Sequence, residues 1–238
     1  MQDILQDYRD ALTFWNEAYT LREEKKERYH QLTPESNADV LAASKKLASI
    51  IRDELKNQNR VLDYGCGEGW AGMLLCQAGC RDVTCAEMAE NAIALVKTVQ
   101  QKLQIGHELH PVVIDENWLS ALPDRCFDGI VCSNVLDVIP TSVCESILSQ
   151  FARILQKGGK LVIGLNYHAD LKDVPEKGIT IRHGNCLYIN DTLRLVSRSD
   201  EEWTELFSRY FTVEKLTHFG WNKEETERRR CYVLLPKC

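Results

Sequence analysis

The chain has 238 residues, enough for one well-buried domain with an insertion and too few for two large ones. Its content of 44% apolar and 27% charged residues is ordinary for a globular protein, and no apolar run approaches the roughly 18 residues that span a bilayer. A net charge of −6 weighs against broad nucleic-acid binding, which needs basic surface to displace counterions.

Residues 1–7 lack the basic region and apolar core of a secretory leader, so a cytoplasmic location is expected. The ten cysteines fit a reducing compartment. Cys66 sits in a glycine turn, Cys85 and Cys132 in predicted buried strands, and Cys76, Cys80 and Cys144 on predicted helices, where each reads as a small buried hydrophobe. Cys76 and Cys80 have no second pair at finger-like spacing, so no metal is expected. Two basic clusters, Lys25-Lys26 with Arg28 and Arg228-Arg229-Arg230, lie beside glutamates and read as solvated, self-paired surface.

In chain order, residues 2–30 read as helix, with Leu5, Tyr8, Leu12, Trp15 and Tyr19 at three- and four-residue steps. Thr33 and Pro34 form a helix start, and the predicted helix runs to about Lys56 with Val40, Leu47, Ile51 and Leu55 on one stripe. The next stretch organises the rest. An apolar run at Val61-Leu62 passes through Asp63 and Tyr64 into Gly65-Cys66-Gly67-Glu68-Gly69-Trp70, and an apolar helical pattern follows. Strand, tight turn and helix are the layout of a nucleotide-binding unit. The third glycine comes one place too early for the dinucleotide fingerprint, since position 70 is Trp. Asp63 would repel a pyrophosphate and attract a ligand bearing an ammonium and a sulfonium. S-adenosylmethionine is such a ligand.

Residues 82–87 are predicted as the second strand, closed by Glu87, a carboxylate at the distance past the glycines where a ribose diol is held. Met88 follows, placed to pack on an adenine face. A helix from Ala89 to about Leu103 and a strand at 110–114 lead to Asp115 and Glu116, and Asp115 also reads as a helix-capping acid. The fourth strand lies within 122–134, apolar at 129–132 like a parallel strand buried on both faces, with Ser133-Asn134-Val135 at its carboxyl end. Ser142 and Glu145 read as a capping box, with Val143, Ile147, Phe151 and Leu155 facing inward. A Gly158-Gly159 turn then enters a fifth strand at 161–165.

In order and spacing, residues 59–165 resemble the class I S-adenosylmethionine-dependent methyltransferases: an acid before G-x-G-x-G, then Glu87, Asp115, the 127–140 segment and 155–165. The resemblance implies an α/β fold, a doubly wound seven-stranded sheet that is mostly parallel with its last strand antiparallel, and helices on both faces. It implies S-adenosylmethionine as cofactor and S-adenosylhomocysteine as product. Cofactor-binding roles follow for Asp63, Gly65, Cys66, Gly67, Gly69, Trp70, Glu87, Met88, Asp115, Glu116, Asn134 and Val135. Asp115 would accept from the adenine amino group, the next backbone amide would serve a ring nitrogen, and Asn134 and Val135 would meet the methionine part. In similar proteins an N-terminal segment closes over the cofactor, which makes Tyr8, Trp15 and Tyr19 candidate contacts to cofactor and substrate, although core packing explains them equally well. Asp137 stands where some relatives carry His, which leaves a shared general base there in doubt.

Residues 166–199 exceed a normal connection and carry a β rhythm at 179–181, 187–189 and 193–195. A small antiparallel cap over the methyl-donor site is expected. Ser199 and Glu202 form a second capping box, opening a helix with Trp203, Leu206 and Phe207, and strands at 211–216 and 231–235 complete the sheet. One domain is expected over 1–238, with residues 1–57 as a helical lid and 166–199 as an inserted substrate cap. Methyl transfer from a sulfonium is served chiefly by alignment and exclusion of water, so no catalytic side chain is assigned. Tyr167, His168 and His183 flank the strand-five exit and are the acid–base candidates, the first two also as substrate contacts. A small-molecule acceptor with no membrane partner is the leading expectation. An RNA or protein acceptor, a non-catalytic cofactor-binding module and an NAD-dependent oxidoreductase are the alternatives, the last weakened by Asp63 and Trp70.

Overall fold

A computed structural model describes residues 2–20, 27, 29–170, 174 and 178–237, without the side chains of residues 2–5. The helices are α1 (Gln2–Ala18), α2 (Lys45–Leu55), α3 (Trp70–Gln77), α4 (Glu90–Lys102), α5 (Trp118–Ala121), α6 (Thr141–Ile154) and α7 (Asp200–Ser208). The strands are β1 (Arg60–Tyr64), β2 (Asp82–Glu87), β3 (Leu109–Val113), β4 (Phe127–Ser133), β5 (Leu155–Leu165), β6 (Ile179–Arg182), β7 (Cys186–Ile189), β8 (Thr192–Val196), β9 (Phe211–Phe219) and β10 (Arg229–Pro236). Seven of them form one sheet in the order β3-β2-β1-β4-β5-β10-β9, and β6-β7-β8 form a separate antiparallel sheet. β10 runs antiparallel between β5 and β9, as the resemblance implied.

Side chains alternate across the sheet because successive residues of a strand point to opposite faces. Val61, Val83, Cys85 and Val131 pack with α2, α3 and α4 on one side. Leu62, Tyr64, Ala86, Ile130 and Cys132 pack with α6 and α7 on the other. The same parity sends Asp63 to the side of Val61, beneath α3. There it is 3% exposed, and its Oδ2 accepts the Gly72 amide at 2.9 Å and faces Cys85 Sγ at 3.8 Å. Gly72 is a glycine because α3 lies so close to β2: a Cβ there would sit 2.3 Å from Cys85 Sγ.

Several sequence expectations need correction. The helix expected from Pro34 begins only at Lys45, where Ser44 caps it by accepting the Leu47 amide. Upstream, Ser36 accepts the Thr33 amide in a turn and Asn37 accepts the Asp39 amide to open a 3-10 turn (Ala38–Leu41), so three local caps divide what periodicity joined. Val40, expected on the buried stripe, is 50% exposed. α6 begins at Thr141 without a side-chain cap, so the Ser142–Glu145 box does not form, whereas the Ser199–Glu202 box is reciprocal. Cys80 lies past the end of α3. Arg229 and Arg230 are buried, not solvated, because β10 is an interior strand with both faces covered. Arg229 nonetheless is paired as expected, forking onto Glu224. Leu5, residues 21–26 of the expected first helix and the Lys25-Lys26-Arg28 cluster lie outside the described residues or side chains.

Two consequences can be measured. Gly72→Ala should lower stability by about 1–3 kcal/mol through overpacking, and Cys85→Ala in the same chain should restore most of it. Urea unfolding checks both, and a harmless Gly72→Ala would contradict the close approach. Burial raises the Asp63 carboxyl from its ordinary 3.8 to about 7. Between those values the folded protein keeps a proton that the unfolded chain has lost, so this group's contribution to stability falls as pH rises from 4 to 7 and is level above. Asp63→Asn keeps an acceptor for Gly72 and removes the ionisation. Its stability relative to the parent should therefore improve by about 2–4 kcal/mol between pH 4 and pH 8. A parallel pH dependence of the two proteins would show that Asp63 ionises freely.

Candidate active site

The strand order reverses between β1 and β4, and a crevice opens beyond the carboxyl ends of those strands. A cavity of about 630 Å³ fills it, within the range of roughly 300–1,000 Å³ usual for small-molecule sites. The floor is the turn at 65–69, where Gly65, Gly67 and Gly69 have φ of 64°, 53° and 74°. That left-handed backbone strains any residue with a Cβ. Contact forbids a side chain too: a Cβ would meet Val135 Cγ2 at 2.3 Å from Gly65, and Tyr19 Oη at 2.5 Å from Gly67. Cys66, Glu68 and Trp70 complete this side of the lining, while Gly69 lies behind it as the cap of α3.

Glu87, at the end of β2, reaches back under the turn. Its Oε2 accepts the Gly67 amide at 3.1 Å, and its Oε1 accepts those of Met88 and Ala89 at 2.8 and 3.2 Å. A carboxylate has about four acceptor positions, so three are engaged and one is left toward the cavity. Burial raises the pKa of Glu87 against these three bonds. Asn134 sits at the end of β4 with φ of 57°, its amide bonded to the Gly164 carbonyl and its buried Oδ1 without a partner. It lines the cavity with Val135 and Met88.

The roof is α1. Tyr8, Leu12, Trp15 and Tyr19 recur on one helical face and line the cavity, so their periodicity served the site as well as packing. Tyr8 donates to Met88 Sδ at 3.1 Å, and burial, with Glu116 and Glu87 nearby, pushes its phenol up to about 12. The other faces of α1 carry its anchors. Asp7 accepts from Tyr188 of β7 at 2.7 Å, the Arg194 guanidinium of β8 lies 3.9 Å from the Phe14 ring centre, and Asn91 at the start of α4 donates to Asn16. The small β sheet therefore backs the roof helix, and none of its described residues lines the cavity. The sheet thus sits behind α1 and not directly over the site, where its sequence position suggests it.

A side wall comes from two loops far apart in sequence. Asn222 bonds through backbone and side chain to Ala43, Lys45 and Ala42, seating the β9–β10 loop on the segment before α2. Trp221 lines the cavity from that loop, stacked 3.5 Å under the Arg229 guanidinium, with Leu41, Ser44 and Leu47 beside it. Sequence reasoning missed Trp221, as it missed Ile114, Val138, Ile139 and Asn166, all on the lining.

Other candidates stand apart from the cavity. Asp63 is one layer behind the turn. Asp115 and Glu116 are exposed beyond Ile114, and Asp115 accepts the Asn117 amide at 2.9 Å, the local capping role that competed with an adenine contact. Tyr167 lies 40% exposed beside Arg228 and Arg229. His168 is exposed and bonded to Ser197 at 3.1 Å, and His183 is at an exposed left-handed turn between β6 and β7. Asp137 is buried, accepting the Asn166 amide at 2.6 Å.

The geometry suits a nucleoside carrying positive charge. The turn offers open backbone, Glu87 one acceptor position, Asn134 an unused buried acceptor, and the described lining holds two carboxylates and no cationic side chain. Comparison with known proteins points the same way. Residues 61–159 match the family described as a methyltransferase domain. No curated protein sequence matches the chain. Among solved structures, a Pyrococcus horikoshii OT3 protein is 20% identical with a TM-score of 0.66, over 80% of this chain and 88% of its own. The Burkholderia thailandensis 1,6-didemethyltoxoflavin-N1-methyltransferase, bound to 1,6-didemethyltoxoflavin and S-adenosylhomocysteine, is 18% identical with a TM-score of 0.66, over 83% and 79%. The Synechocystis PCC 6803 magnesium protoporphyrin IX methyltransferase with bound S-adenosylmethionine is 16% identical with a TM-score of 0.57, over 81% and 79%. Residues 61–159 therefore match a methyltransferase domain, and the chain shares the fold of these solved structures.

Proposed function

We propose that the protein methylates a small-molecule acceptor inside the cavity beneath α1. The observation that carries this reading is the roof itself: α1 and the Trp221 loop wall a cavity of about 630 Å³, where a folded macromolecule would need an open groove. The two solved methyltransferases named above are named for 1,6-didemethyltoxoflavin and magnesium protoporphyrin IX, both small molecules.

S-adenosylmethionine supplies an electrophilic methyl group on a sulfonium. The chain's part is to bind, orient and exclude water. Glu87 takes the ribose hydroxyls with its remaining acceptor position, and Met88 and Ile114 pack on the adenine. Asn134 Oδ1 accepts from the amino-acid ammonium. Asp63 holds the Gly72 amide, fixing α3 and the turn from behind, so its influence on the cofactor passes through backbone placement and its field. Tyr8, Trp15 and Tyr19 close the space above the turn and keep the transfer dry.

Glu87→Gln should weaken S-adenosylmethionine binding by about 1–3 kcal/mol, read by calorimetry. Wild-type affinity in that variant would remove Glu87 from the site. Incubated with labelled methyl donor and a cell extract, the protein should place label in the low-molecular-weight fraction. Label confined to RNA or protein would reject the small-molecule reading.

A further inference from the structure

Outside the glycine turn the cavity lining is apolar at Val138, Ile139 and Ile147, and Asn166, one residue past the end of β5, sets a carboxamide beside them. That side chain lies between two charged groups. Arg229 Nη1 donates to its Oδ1, while the same guanidinium forks onto Glu224 and rests on the Trp221 ring. On the other side the Asn166 backbone amide donates to Asp137 Oδ2 at 2.6 Å, and the Asn166 side chain hydrogen-bonds the same carboxylate. Asp137 is fully buried. Burial raises its pKa, and the bonds from Asn166 together with the charge of Arg230 oppose the rise.

These two neighbours decide which way the amide faces. An arginine only donates, so the carboxamide turns its oxygen to Arg229. A carboxylate accepts, so the nitrogen turns to Asp137. Flipping the amide would set N–H against guanidinium and oxygen against carboxylate, and both contacts would be lost in a buried setting. The oxygen is thereby engaged. Of the two N–H bonds on Nδ2, Asp137 takes one, and the second is left for the cavity.

Resting on the small-molecule methyltransferase reading above, we propose that Asn166 is a specificity-determining residue, a fixed hydrogen-bond donor that orients the acceptor through a carbonyl oxygen or ring nitrogen of that molecule. Arg229 and Asp137 are positioning residues that set its polarity. Asn166 exchanges no proton with the acceptor. Its effect falls on binding and on the angle at which the nucleophile meets the methyl group. An acceptor without such an atom leaves the N–H unpaired beside an apolar wall and is rejected for that reason.

The test takes the low-molecular-weight fraction of a cell extract as acceptor source, titrates it with labelled S-adenosylmethionine, and follows the main labelled product. Asn166→Asp keeps the size and removes the donor, and Asn166→Leu removes it without adding charge. Each should raise the half-saturating amount of the fraction about tenfold or more, with calorimetric affinity for S-adenosylhomocysteine within about twofold of the parent. Arg229→Lys should shift the half-saturating amount the same way by a smaller factor, because an ammonium cannot fork onto Glu224 and hold Asn166 at once. An unchanged half-saturating amount in both Asn166 variants, or a loss confined to maximal rate and S-adenosylhomocysteine affinity, would overturn the role of Asn166 and leave the methyltransferase reading standing. A parent protein that labels no small molecule would remove both.

Discussion

Two carboxylates, Asp63 buried and Glu87 half-buried, grip the backbone on either side of the glycine turn, and the site depends on that grip. Asp63 holds the Gly72 amide in the first turns of α3, and Glu87 holds the Gly67 amide from the end of β2. Neither bond is strong on its own, since a net hydrogen bond contributes about 0.5–1.5 kcal/mol and one to a charged group about 1.5–3 kcal/mol. Their value is positional. Backbone with left-handed φ at three glycines has no side chain to fix it, so the acids behind it set where its amides point. Both acids are raised in pKa by burial, and the proximity of a cationic ligand would draw them toward their charged forms.

The helix above the turn shows how the molecule closes such a site. α1 has two working faces: one lines the cavity with Tyr8, Leu12, Trp15 and Tyr19, and another meets the small sheet through Asp7 and Phe14. The inserted strands thus serve the site at one remove, by holding the roof. Tyr19 approaches the turn closely enough that only glycine fits at 67. Roof and floor therefore constrain each other, and a substitution at either is felt by both.

Much of this could be read in the sequence. The strand–turn–helix stretch and the Ser199–Glu202 box rest on local signals strong enough to survive tertiary context, and the antiparallel last strand followed from the resemblance. Tyr8, Trp15 and Tyr19 were found because a single helical face carries them. The direction of Asp63 was also legible, since the two-residue alternation that buries Val61 beneath α3 sends Asp63 to the same place. Trp221 was not legible: it reaches the cavity only because Asn222 bonds to residues 42–45, some 180 positions earlier in the chain. Arg229 and Arg230 looked like surface because their burial depends on β10 inserting between β5 and β9. The division of 33–56 into a turn, a 3-10 segment and a helix turned on which of several capping residues found its amide.

Calorimetric titration of the purified protein with S-adenosylmethionine and, separately, with NAD bears most directly on the turn held by Asp63 and Glu87. A saturable one-to-one isotherm for S-adenosylmethionine with no detectable heat from NAD is the predicted result. Tighter binding of NAD, or no binding of S-adenosylmethionine, would contradict a site built for a positively charged sulfur nucleoside.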